Sequence, residues 1–111
     1  MKRIDTDDRR RHIRWTVFEF CRAVVDGQEY EGAVVDLSMH GAVFKLDVHL
    51  PVQPAVGTTI ELNMSRVGRI PARVVRPLVG GTAVEFRIDQ YHEHVVIALK
   101  QVLDDYRSKD G

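Results

Sequence analysis

Cysteine is almost missing from this chain: Cys21 is the only one in 111 residues. One thiol excludes an internal disulfide and a thiolate-rich zinc site, and it fits the reducing conditions of a cytoplasm, the location expected here. Net charge is missing as well, since 16 Lys plus Arg balance 16 Asp plus Glu. A neutral chain has no bulk attraction for a nucleic-acid backbone or an anionic membrane, so any anion site must come from local clustering. Aromatic residues are few, 7% of the chain, which argues against the aromatic-studded basic groove of an oligonucleotide binder. No apolar run approaches the roughly 20 residues that span a bilayer, so no membrane insertion is expected. The opening "MKRIDTDDRRRHIR" contains three aspartates and no hydrophobic core, so no export signal is read either.

What is present is arginine. It supplies 12 of the 16 basic residues, which favours planar, bidentate or stacked recognition over diffuse charge. Four of the twelve crowd into "DRRRHIR", residues 8–14. The rest of the composition, 44% hydrophobic and 29% charged, is that of one globular domain with a single core.

From Arg14 onward β signals dominate. "RWTVFEFCRAVV" ends at Asp26-Gly27, a strong hairpin signal, and "EYEGAVVDLS" is its return strand. "GAVFKL" places Ala42, Phe44 and Leu46 on one face, and "TIELNM" does the same with Ile60, Leu62 and Met64. "RIPARVVR" alternates Ile70, Ala72 and Val74 inward, with Pro71 marking a sheet edge or a bulge. "TAVEFRI" turns Val84, Phe86 and Ile88 inward. The period then changes: Tyr91, Val95, Leu99, Val102 and Tyr106 form the apolar stripe of a helix, with Asp89 as its N-cap. The expected fold is therefore mainly β: a six-stranded antiparallel β-barrel with a C-terminal α-helix and a flexible N-terminal arm. The arm is residues 1–13 and the barrel with its helix residues 14–111. Closure of such a sheet removes its exposed edges, and the helix covers an end or side.

Two motifs carry chemistry. Arg10 and Arg14 stand as Arg-x-x-x-Arg just before the first long strand, and "DLSMHG", residues 36–41, follows the second. In strand two Ala33, Val35 and Leu37 share one face; if that face is core, Asp36 points out of the barrel. Taken singly, each motif has an ordinary reading. Asp, Ser and Gly are the usual residues of a turn, and a basic arm paired with Asp5, Asp7 or Asp8 is a solvated segment.

Together and in this order, the complete Arg-x-x-x-Arg and Asp-x-Ser-x-x-Gly motifs resemble the signature of the PilZ domain family. "GRIPARVVRP" and "GGTAVEF" look like the family's fifth and sixth strands. The resemblance implies a bacterial receptor whose barrel binds cyclic di-GMP on its outer surface, with no other cofactor. It implies a site of Arg10, Arg14, Asp36, Ser38 and Gly41, with Arg9 adding a contact that influences whether one ligand or a stacked pair binds. The residue chemistry suits that ligand. Guanine O6 and N7 match an arginine fork, guanidinium planes stack on purines and bond phosphate, and a carboxylate accepts from guanine N–H groups.

Other readings are weaker. His92 and His94 are about 200° apart on a helix, so they share no metal-ligand face. Ser38 with His40 lacks a nucleophile elbow and an orienting third group, so no enzyme is read. Trp15, Phe18 and Phe20 are expected in the barrel core, and Asp104 and Asp105 on a solvated helix face. With no second domain as output, the chain is expected to order its arm on the ligand and signal to a protein partner. The alternative is a PilZ-like interaction module that binds no nucleotide.

Overall fold

Alternation of apolar and polar residues drives the architecture. The computed structural model describes residues 3–4, 13–48, 50 and 53–110. Its long strands are β2 (Arg14–Val25), β3 (Gln28–Leu37), β4 (Gly41–Leu46), β5 (Thr59–Met64), β6 (Gly68–Leu78) and β7 (Gly81–Phe86). A two-residue strand, β1 (Arg3–Ile4), precedes them, and helix α1 (Glu93–Asp110) follows. The antiparallel sheet runs β1-β2-β3-β4-β7-β6-β5, and β5 also pairs with β2. That last pairing closes six strands into the expected barrel. β1 lies within the stretch read as an arm and pairs with Arg14 and Trp15.

The hairpin at Asp26-Gly27 forms as expected, with φ of 51° and 79° at the two residues. Two successive positive φ values match the right-handed twist of the flanking strands, which is why Asp-Gly serves there. Ala42 and Phe44, the β5 set, the β6 set, Val84 and Phe86 all face the core as alternation predicts. Pro71 pairs with Glu61 on β5, while its carbonyl accepts from Arg87 N at 2.8 Å, just beyond the end of β7. The N–H that proline lacks would have faced Arg87 as well, so the one missing bond falls just past the end of the β6–β7 ladder and none is lost toward β5.

Three expectations need correction. Phe18 and Phe20 are outside, 60% and 67% exposed, with rings edge-to-face 5.3 Å apart. The inward side of β2 is instead Val17, Glu19, Cys21, Ala23 and Val25, because period two runs unbroken from Trp15, which packs against the core. In β3 the register slips between Val34 and Asp36. Val34 and Leu37 therefore both enter the core, Val35 does not, and Asp36 still points out. On α1, Val95, Leu99 and Val102 are buried and Tyr106 packs beside them, but Tyr91 is exposed. Tyr91 sits in a 3-10 turn, Gln90–His92, ahead of the helix, where Asp89 caps it by accepting from Tyr91 N at 2.8 Å.

A polar latch holds the far end of α1. The Glu19 carboxylate, inward on β2 and only 8% exposed, accepts from Arg66 Nε at 2.9 Å and Nη2 at 3.1 Å. Tyr106 Oη lies 2.5 Å from Glu19 Oε2 and accepts from Phe18 N at 3.1 Å. Arg66 also reaches Asp105 at 2.6 Å, so that residue is an ion-pair partner rather than a merely solvated acid. Burial would push the Glu19 carboxyl up, but the Arg66 and Tyr106 hydrogen bonds outweigh it and hold the group below its ordinary value. Burial likewise pushes the Cys21 thiol up to about 11, so it stays protonated and unreactive at neutral pH.

Two stability measurements test this arrangement. Phe18→Ser and Phe20→Ser should each cost no more than about 1 kcal/mol in urea unfolding, against about 3–5 kcal/mol for Phe44→Ala. Equal losses would put the phenylalanines back in the core. Because the Glu19 carboxyl is depressed in the folded state, its stabilisation is present above the ordinary carboxylate range and fades as pH falls below about 4. Glu19→Gln should lower stability at pH 7 by about 1–3 kcal/mol and flatten the further loss between about pH 5 and pH 3. An unaltered acid response would assign that loss to other carboxylates.

Candidate functional site

One end of the barrel wall is irregular. β2 and β3 slip between Thr16 and Glu19, β3 and β4 between Val34 and Asp36, and β6 and β7 between Val74 and Arg76. Each slip is an extra residue that bends its strand and re-aims the side chains beside it. The registers align Thr16, Asp36, Val43, Ala83 and Arg76 in one row across the wall, with Asp36 facing outward. The candidate residues gather around this row.

Arg14 and Asp36 form a fork. Arg14 Nε donates to Asp36 Oδ1 at 3.1 Å, and Arg14 Nη2 donates to Oδ2. Both side chains are largely buried, 22% and 16% exposed. A guanidinium has five N–H donors, and the fork uses two, so three remain for another acceptor. Asp36 thus orients Arg14 without exhausting it.

Ser38 and Gly41 build the turn beside the fork. Ser38 N donates to the Gly41 carbonyl at 3.0 Å, and Ser38 Oγ accepts from His40 N at 3.1 Å and Gly41 N at 3.2 Å. Ser38 is buried, so its first role is to fix this turn. The turn is stapled to β7 by Phe86 N, which donates to the His40 carbonyl at 2.8 Å. A Cβ on Gly41 would stand 2.3 Å from the Val84 carbonyl oxygen, so only glycine lets β4 approach β7 here.

Arg14, Ser38 and Gly41 line a groove of about 330 Å3. Asp36 reaches it through Arg14. Arg9 and Arg10 lie outside the described residues. Five further residues, from β6 and β7 on the opposite side, line the groove: Val75, Arg76, Ala83, Val84 and Glu85. Sequence reading passed over them because Val74-Val75 breaks the alternation of β6, and a paired Val-Val in an otherwise alternating strand was the available sign of a bulge. A larger concavity, about 760 Å3, lies on the wall around Phe18, Phe20, Gly32 and Asn63 and contains none of the motif side chains. Among the described residues no group of three His, Cys, Asp or Glu side chains converges as a metal site would, and no helix is long and apolar enough to cross a membrane.

The family model "PilZ domain" matches residues 8–103. A search of curated proteins gives no match. Among solved structures, the chain is similar to the PilZ domain of CeSA from a cellulose-synthesizing bacterium, with a TM-score of 0.65 at 20% identity. That match covers 85% of this chain and 97% of the other. It is also similar to the PilZ domain with c-di-GMP of YcgR from Escherichia coli, with a TM-score of 0.60 at 18% identity over 92% and 99% of the two chains. YcgR in complex with c-di-GMP matches with a TM-score of 0.64 at 20% identity, over 92% of this chain and 47% of that one. With Arg14 and the Asp36–Gly41 motif gathered on the outer wall of a closed six-stranded barrel and a family model spanning residues 8–103, this chain belongs to the PilZ domain family.

Proposed function

We propose that this protein is a cytoplasmic cyclic di-GMP receptor, with no catalytic role, that passes the signal to a protein partner. The observation that carries the reading is the Arg14–Asp36 fork beside the Ser38–Gly41 turn, with part of the Arg14 donor set still unused. Those donors suit a phosphate or the O6/N7 edge of a guanine. The YcgR PilZ domain, solved with c-di-GMP, has the same fold and supports the same ligand here. Arg9 and Arg10 complete the site from the segment that leaves Ile4 and returns at Ile13. The pairing of Ile4 with Arg14 supports that contribution.

Signalling follows from how the ligand is held. The barrel wall and the turn are built by the fold, whereas the arginines of the arm have little apolar surface to bury and are ordered by the phosphates and guanines they hold. The partner then reads a surface composed of arm, ligand and wall. Without bound nucleotide that surface does not form.

Calorimetric titration with cyclic di-GMP, with GMP and GTP as controls, tests the ligand. Arg10→Ala, Arg14→Ala and Asp36→Ala should each weaken binding about 10- to 100-fold while the barrel stays folded, since charge-assisted bonds contribute about 1.5–3 kcal/mol each. If a folded parent binds no cyclic di-GMP, the chain is an interaction module instead. Amide hydrogen exchange tests the switch. Ligand should raise protection at residues 5–14 and 36–41 and leave Thr58–Ile88 almost unchanged. Full protection of the arm before ligand is added would refute it.

A further inference from the structure

Arginine pairing on this surface has one exception. Arg14, Arg22, Arg66, Arg69, Arg73, Arg87 and Arg107 each lie within 3.6 Å of a carboxylate oxygen. Among the residues whose side chains are described, Arg76 is the arginine with no such partner. Glu85 lines the same groove, but its carboxylate is shared by Arg73 and Arg87, at 3.5 Å each, and does not engage Arg76. Arg76 follows the β6 slip after Val74, so it pairs with Ala83, where an unbroken register would place Val75. An inserted residue has brought an unneutralised guanidinium to the groove.

Register fixes what lies opposite. Arg76 and Asp36 are the charged positions of the row Thr16, Asp36, Val43, Ala83, Arg76, three strand steps apart. At about 4.8 Å per step the span is roughly 14 Å. Between them stand Val43, which is buried, and Ala83, which lines the groove, both apolar, and Val75 adds a half-exposed apolar side chain beside Arg76. A flat, polarisable, weakly hydrated group fits such a floor, and a guanidinium plane packs on its face. A phosphate alone would have no use for the apolar surroundings.

We infer that Arg76 is a ligand contact from the wall opposite the motifs. Its guanidinium plane covers one nucleobase of a cyclic dinucleotide whose other end is held at Arg14 and Asp36. This rests on the cyclic di-GMP reading above, and it adds a residue from a strand that neither motif includes. It also assigns the β6 bulge a purpose, since without the extra residue the Arg76 side chain would face away from this row.

The test is titration of cyclic di-GMP into the parent, Arg76→Ala, Arg76→Lys and Asp36→Ala, each checked by thermal unfolding. Arg76 is exposed, so its variants should melt with the parent. Removing a stacked guanidinium should weaken binding about 3- to 30-fold, and lysine, which keeps the charge but not the plane, should restore little of it. Parent-like affinity in Arg76→Ala, with Asp36→Ala weakened, would overturn the inference and leave the motif site standing. Parent-like affinity in Arg76→Lys would overturn the planar contact in favour of charge alone. A folded parent that binds no cyclic di-GMP would sink the ligand reading and this inference with it.

Discussion

The pairing of β2 with β5, from Cys21 opposite Met64 to Val24 opposite Glu61, is the constraint on which the rest depends. It closes the sheet on itself, and a ring of six strands is narrow, so every strand must bend and coil to remain in it. Regular alternation fills the interior, but regular strands do not turn that sharply. The bending is taken up where residues are inserted, and all three slips fall at the end of the wall that bears the candidate site. The row that carries Asp36 and Arg76 thus crosses the wall where closure bends it most.

The site's described polar groups also satisfy one another. Arg14 and Asp36 neutralise each other, the Ser38 hydroxyl is satisfied by backbone N–H groups, and no buried side-chain nitrogen or oxygen among the described residues lacks a partner. An unpaired buried charge would burden the fold by several kcal/mol, and none is left. On the function proposed above, ligand recognition is added to a stable wall rather than extracted from a strained one.

Much of this was legible in the sequence, and the failures share a cause. Strand positions, the Asp26-Gly27 hairpin, the core faces of β4 to β7 and both motifs follow from period and turn chemistry alone. Alternation, however, carries no mark of an inserted residue, so one bulge in β3 reversed the faces assigned to Val34 and Val35. Glu19 reads as the polar member of "FEF" and so as solvent-facing, with its neighbours inside. The side chains that make its burial tolerable, Arg66 and Tyr106, are 47 and 87 residues away along the chain. Arg76 was missed for both reasons, a bulge before it and a row of partners contributed by other strands.

Gly41 sets the terms on which this domain can change over generations. A lineage no longer selected for its ligand can replace exposed arginines one at a time and keep its barrel, because those side chains hold up little of the wall. It cannot replace Gly41 so freely, since any Cβ there collides with the Val84 carbonyl, 2.3 Å away. The glycine is therefore retained for the sake of the fold, whether or not a ligand is read. In descendants of this chain, the surviving glycine would be a record of ancestry, and the arginines the record of use.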